Sequence, residues 1–143
     1  MVISLIYNLI MIMPYLQFDI SKKLTKNNKR VLIRNIKNIF SKVMDTETYH
    51  IAISIREFAQ SSICLGRAKK NEDVCLMNLD IRKGRSKKQK RKLVTQYMKL
   101  FDELLKINKK NQYVVITEHK GTDFNLFEGS LRTWVKNDDP LSK

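Results

Sequence analysis

Pro14 follows Met13 and opens the alternating run Pro14-Tyr15-Leu16-Gln17-Phe18-Asp19-Ile20; it carries the most unusual chemistry in this chain. Inside a chain, a proline nitrogen is a tertiary amide without basicity. At a chain terminus it is a secondary amine in a rigid ring, able to take and return a proton or attack a carbonyl. Initiation at Met13 and removal of that methionine would leave Pro14 in that state, and this is the expected reading. The second segment with chemical promise is Ile81-Arg82-Lys83-Gly84-Arg85-Ser86. Arg85 and Ser86 stand at a predicted helix start, where unpaired backbone N–H groups and the helix dipole favour an anion. A guanidinium adds a two-pronged grip on a carboxylate. Arg82 can bind the far end of a keto acid or polarise its carbonyl. Positive charge and apolar surroundings both disfavour a protonated amine, so a terminal Pro14 among them is a neutral base. Such a base removes an α-proton from an anchored 2-keto acid and returns it elsewhere, while arginine steadies the enolate. Decarboxylation of a 3-keto acid passes through an enolate too, so the same pocket suits that reaction.

These two segments need elements to bring them together, and the periodicity supplies them. Pro14 to Ile20 alternates as a strand. Thr25 caps a predicted helix to about Met44 with the apolar stripe Leu32, Ile33, Ile36, Ile39, Phe40 and Val43. Tyr49 to Arg56 alternates as a second strand, and Ser62 to Arg67 is read as one arm of an irregular hairpin. The pattern then repeats. Val74 to Ile81 is a strand, and Ser86-Lys87-Lys88-Gln89 is a capping box opening a helix to about Ile107. Its stripe is Leu93, Tyr97, Leu100, Phe101 and Leu104; Tyr113 to Ile116 is the next strand, and a short tail runs from Phe124 to Trp134.

The fold class is therefore α/β: tandem β-α-β repeats, about 14–57 and 73–119, within a single domain spanning 14–143. They are expected to share one four-stranded mixed sheet with both helices on one face, plus short hairpins. A pseudo-two-fold relation sets the two first strands side by side and antiparallel, which brings Pro14 next to the Ile81–Ser86 segment. The uncovered sheet face then calls for an oligomer.

Bulk properties agree with one soluble domain: 143 residues, 43% hydrophobic and 29% charged, with only four Gly and two Pro. Cys64 and Cys75 lack metal-ligand spacing and are read as reduced, half-buried thiols of a cytoplasmic protein. The formal charge of +14 comes mostly from lysine, often beside asparagine, and is spread over helix surfaces and connections. It lacks the arginine–aromatic interleaving of a nucleic-acid face, so no specific nucleic acid is expected, only weak and strongly salt-dependent polyanion binding. Residues 1–12 are apolar but have no basic flank or cleavage site and are too short to span a bilayer. They are read as an extension upstream of the true start, with no membrane association.

The tandem halves, the Met13-Pro14 opening and Arg82-Lys83-Gly84-Arg85-Ser86 before the second helix together resemble the tautomerase superfamily, the 4-oxalocrotonate tautomerase-like proteins. From Pro14 onward the chain is similar to the longer fused-repeat groups, malonate semialdehyde decarboxylase and cis-3-chloroacrylic acid dehalogenase. The resemblance implies a trimer with active sites near subunit boundaries, a small carboxylate substrate, no metal and no organic cofactor. It makes Pro14 the catalytic proline and Arg82 and Arg85 the carboxylate clamp, spaced as in the dehalogenases. Glu118 to Leu126 resembles the decarboxylase's carboxy-terminal segment, with Phe124 and Leu126 as an apolar wall, and Glu47 falls where the decarboxylases carry a water-activating aspartate. Val115 stands where the dehalogenases place a tyrosine, and the first helix has no histidine, which argues against dehalogenation.

The implied activity is a cofactor-independent tautomerase, with a decarboxylase or hydratase as the alternative. A different class stays open as well: a non-catalytic oligomer that binds polyanions through Lys87 to Lys92. With residues 1–12 retained, Pro14 merely starts a strand. His50 is expected to face solvent or a helix, and His119 has no partner at metal spacing. Trp134 is read as a core or subunit contact.

Overall fold

The computed structural model describes residues 14–127 and 129–130. The upstream extension and Trp134 lie outside them. Strand β1 (Tyr15–Ile20) leads through helix α1 (Lys26–Met44) to β2 (Ala52–Glu57), and β3 (Cys75–Arg82) leads through α2 (Lys87–Leu105) to β4 (Gln112–His119). The sheet order is β2-β1-β3-β4, with β1 parallel to β2, β3 parallel to β4, and β1 antiparallel to β3. Two short strands, β5 (Asn125–Leu126) and β6 (Gly129–Ser130), form a hairpin after the second half. The expected duplicated architecture is present.

Each helix begins where its sequence says it should. The Thr25 hydroxyl accepts from the Asn28 N–H, and Ser86 and Gln89 form a reciprocal capping box. Both helices end on a left-handed residue, Asp45 (φ 51°) and Lys106 (φ 59°). They bury Leu32, Ile36, Phe40 and Val43 from α1 and Leu93, Tyr97, Phe101 and Leu105 from α2. These meet the alternate strand residues Leu16, Phe18, Ile20, Met77, Leu79 and Ile81 in one core, so both helices lie on the same sheet face. Phe18 is its centre, stacked on Phe101 (5.3 Å) and edge-on to Tyr97 (5.6 Å). The Tyr97 hydroxyl donates to the Ile36 carbonyl at 3.0 Å, which satisfies the one polar atom of that ring and ties the helices together. The opposite sheet face carries exposed Tyr15, Asn78, Tyr113 and Val115.

Four local readings change. Strand β2 starts at Ala52, because Tyr49 and His50 belong to a turn; His50 is buried there and faces neither solvent nor the sheet ladder. Residues 62–67 form no hairpin arm: a 3-10 turn (Gln60–Ser62) leads into irregular chain. That loop must return from the edge strand to the interior, and polar Lys69, Lys70 and Asn71 (φ 67°) supply no apolar stripe to pair. Strand β4 runs on to His119, since β3 offers ladder partners as far as Arg82. The thiols differ from one another, Cys64 exposed and Cys75 fully buried, and both are free. Burial pushes the Cys75 thiol far above its ordinary value, which makes it an inert core group. Among the described residues, no helix is long and apolar enough to cross a membrane.

Candidate active site

The antiparallel pairing of β1 with β3 places the starts of β1 and β2 beside the ends of β3 and β4. Tyr15 pairs with Asp80, so Pro14 sits one step further, level with Ile81. At this end of the sheet lies a cavity of about 350 Å3. Its wall takes Pro14 and Tyr15 from the start of β1, Ala52 from β2, Asp80 from β3 and His119 from β4. The turn that follows β4 closes it with Asp123, Phe124, Asn125 and Leu126. Five of these nine side chains are largely apolar and four are polar, the mixture of a small-molecule pocket.

Pro14 is buried, and its carbonyl accepts from the Ala52 N–H at 3.0 Å. That bond continues the β1–β2 ladder and seats the ring at the cavity wall. The Tyr15 hydroxyl lies 3.1 Å from the Ser54 Oγ on the open sheet face. Among the sequence-derived candidates, Pro14, Phe124 and Leu126 are thus brought together in one cavity.

The other candidates stand outside that wall within one protomer. Arg82 ends β3 as the register partner of His119 and is only 1% exposed. Gly84 turns the chain just after it at φ 126°, a region that residues with a Cβ rarely adopt. Arg85 is buried on the helix side: its guanidinium lies 5.8 Å above the Phe40 ring, with Nη2 donating to the Met44 carbonyl at 3.4 Å. Ser86 is exposed and its hydroxyl serves as the α2 N-cap. Glu47 is an exposed residue of the α1–β2 loop whose charge acts on His50. Burial lowers the His50 imidazole below its usual value and Glu47 partly opposes this.

Two of the wall residues, Asp80 and His119, are absent from the sequence-derived site candidates, His119 being weighed only as a metal ligand. The His119 Nε2 lies 2.8 Å from the Asp80 Oδ1, and the imidazole meets the Phe124 ring edge-on at 5.6 Å. They are 39 positions apart and become neighbours only through the β3–β4 register. The one available signal was the alternation of β4, which, if continued past Ile116, puts His119 on the same face as Val115 and Thr117.

A duplicated β-α-β sheet ordered β2-β1-β3-β4, with both helices on one face, is the tautomerase-like fold. No protein-family model matches the sequence, and no curated protein matches it either. Solved structures do. The chain is similar to a fused 4-OT solved as a wild-type asymmetric trimer, at 18% identity and a TM-score of 0.72 over 81% of this chain and 94% of that one. It is similar to a malonate semialdehyde decarboxylase inhibited by 3-bromopropiolate, at 13% identity and a TM-score of 0.69 over 81% and 91% of the two chains. It is also similar to a macrophage migration inhibitory factor-like protein from Entamoeba histolytica, at 17% identity and a TM-score of 0.71 over 82% and 98%. At these identities the likeness establishes the shared fold.

Proposed function

We propose that this protein is a cofactor-independent tautomerase of small keto–enol carboxylates, working as a cytoplasmic homotrimer with Pro14 as its acid–base group. The observation that carries the reading is Pro14 in the wall of an apolar-sided cavity of about 350 Å3, beside Phe124 and Leu126. In this reading translation starts at Met13, the methionine is removed, and the Pro14 amine moves a proton between the α-carbon and the medium. Phe124 and Leu126 hold the substrate's apolar part. Arg82, Arg85 and Ser86 provide the anion clamp, with Arg82, buried at the strand end beside His119, the nearer of the two arginines along the ladder. The fused 4-OT relative was solved as a trimer, and the exposed Tyr15, Tyr113 and Val115 of the open sheet face suit the same use here.

The test has two parts. Intact-mass analysis of protein made from its own gene should find Pro14 as the first residue. That protein should ketonise phenylenolpyruvate, and Pro14→Ala should lower kcat/KM by about a hundredfold or more. Retention of residues 1–13 would leave the nitrogen in a peptide bond and end this reading.

A second reading, a decarboxylase- or hydratase-like lyase with Glu47 orienting water, is favoured by one observation. The segment that resembles the decarboxylase's carboxy-terminal part contributes His119 and 123–126 to the cavity wall. Release of carbon dioxide from a 3-keto acid, sensitive to Glu47→Gln, would select it over tautomerisation.

A further inference from the structure

We infer that His119 and Asp80 form a second acid–base group in the Pro14 cavity, His119 exchanging a proton with the substrate's enol oxygen while Pro14 serves the adjacent carbon. This rests on the proposed role of Pro14 and extends it to the oxygen end of the substrate.

The geometry fixes the tautomer. A carboxylate only accepts, so in the 2.8 Å contact with the Asp80 Oδ1 the proton belongs to His119 Nε2. The neutral ring then keeps its lone pair on Nδ1. Three further contacts hold the residue: the perpendicular Phe124 ring at 5.6 Å, the Lys83 N–H donating to the His119 carbonyl at 2.9 Å, and the β3–β4 ladder beneath. On an open surface such a pair contributes little. Here both partners line the same concave wall as Pro14, with side chains 34% and 29% exposed, and neither belongs to the core. The wall has Pro14 for a carbon-bound proton, and the His119 imidazole, a donor at one nitrogen and an acceptor at the other, to exchange one at oxygen.

For ketonisation the step balances as follows. His119 Nδ1 takes the enol hydroxyl proton, and the released O–H pair becomes the carbonyl π bond. The C=C pair forms a new C–H bond with a proton that Pro14, a neutral base at rest, has first taken from the medium. Neutral Pro14 and imidazolium His119 remain, and exchange with water resets both. Among the described residues, the charged and titratable groups around His119 are Asp80 and Arg82 from β3, Tyr15 from β1, and Lys120 and Asp123 from the following turn. Glu118 is engaged by Lys90 of α2 on the other face.

The experiment is the pH profile of phenylenolpyruvate ketonisation by protein from the intact gene. His119→Gln should lower kcat about a hundredfold, leave KM within about threefold, and remove the acid limb of the profile while keeping the alkaline one. Asp80→Asn, which replaces the acceptor-only carboxylate by a neutral amide that can also donate to Nε2, should lower kcat with the same split. In the wild type, phenylpyruvate should shift the His119 Nδ1 resonance in 15N NMR, an outcome that does not depend on either variant folding. Pro14-dependent turnover that His119→Gln leaves within threefold, an acid limb that survives the substitution, or an unmoved Nδ1 resonance overturns this inference alone. Absence of turnover from wild-type protein with a free Pro14 overturns the proline reading and this inference together.

Discussion

The Pro14 carbonyl is held by the Ala52 N–H at 3.0 Å, so the sheet seats the ring whatever the state of its nitrogen. Its chemistry and its structural role therefore separate cleanly: Pro14→Ala should keep the fold while losing turnover. His50 is the opposite case, a buried imidazole outside the cavity whose Nε2 has no hydrogen-bond partner. Burial first, then the opposing charge of Glu47, leaves its folded-state affinity for a proton below that of the unfolded chain, whose value is near 6.5. The unfolded state thus binds that proton more readily. The His50 contribution to stability is complete above pH 6.5 and is lost as the pH falls through that value and the lowered folded one. Glu57 is held below its usual value, first by its hydrogen bond with Lys29, and loses its contribution only in more acidic solution. Between about pH 7.5 and 5, Tm should therefore fall in the wild type and less in His50→Gln. Parallel slopes in the two proteins would remove His50 as the cause.

At the level of elements, the helices and the central strand divide the stability between them. Thr25 caps α1 far from the cavity, so Thr25→Ala should cost about 1 kcal/mol in chemical denaturation and leave turnover unchanged. Phe18 joins both helices to β1 through two ring contacts. Phe18→Ala should cost about 3–5 kcal/mol, a large share of an ordinary domain's net stability of about 5–15 kcal/mol. A smaller loss would mean that Tyr97 and Phe101 collapse into the space. Strand β4 is an edge strand, and its outer residues Tyr113, Val115 and Thr117 are exposed. Its helix-facing end is Glu118, which meets Lys90 where Val114 and Ile116 meet the core. That polar finish hides the last turns of the strand from a hydrophobic pattern, and His119 with them.

For the whole molecule, the open sheet face is the surface on which the proposed trimer depends. Tyr113 is 54% exposed and Val115 43% within one protomer. Tyr113→Lys combined with Val115→Glu should shift sedimentation from trimer towards monomer and lower activity with it. The surplus of positive charge lies elsewhere: Lys87, Lys88, Arg91 and Lys92 are exposed on α2, while Lys90 is occupied by Glu118. Any polyanion held there should be released steeply with added salt. Turnover of a small carboxylate in the cavity, which His119 lines from the side of β4 opposite Glu118, should respond far less. Tight salt-sensitive binding without turnover would favour the non-catalytic oligomer.

The sequence alone determined the duplicated halves, because the alternation and the 3.6-residue stripes occur twice in the same order, each helix with its own cap (Thr25, Ser86). It also put Pro14 at the head of the first strand, whose ladder begins at Tyr15. Only the tertiary structure decided what shares a wall with Pro14. A strand pattern records which residues alternate, and the antiparallel register of β1 on β3 then selects Asp80 and His119 to meet the proline from far along the chain. It decided the placement of Arg85 and His50 as well, since burial against Phe40 or in a turn depends on how helix and loop pack, and that leaves no periodic trace in the residues themselves.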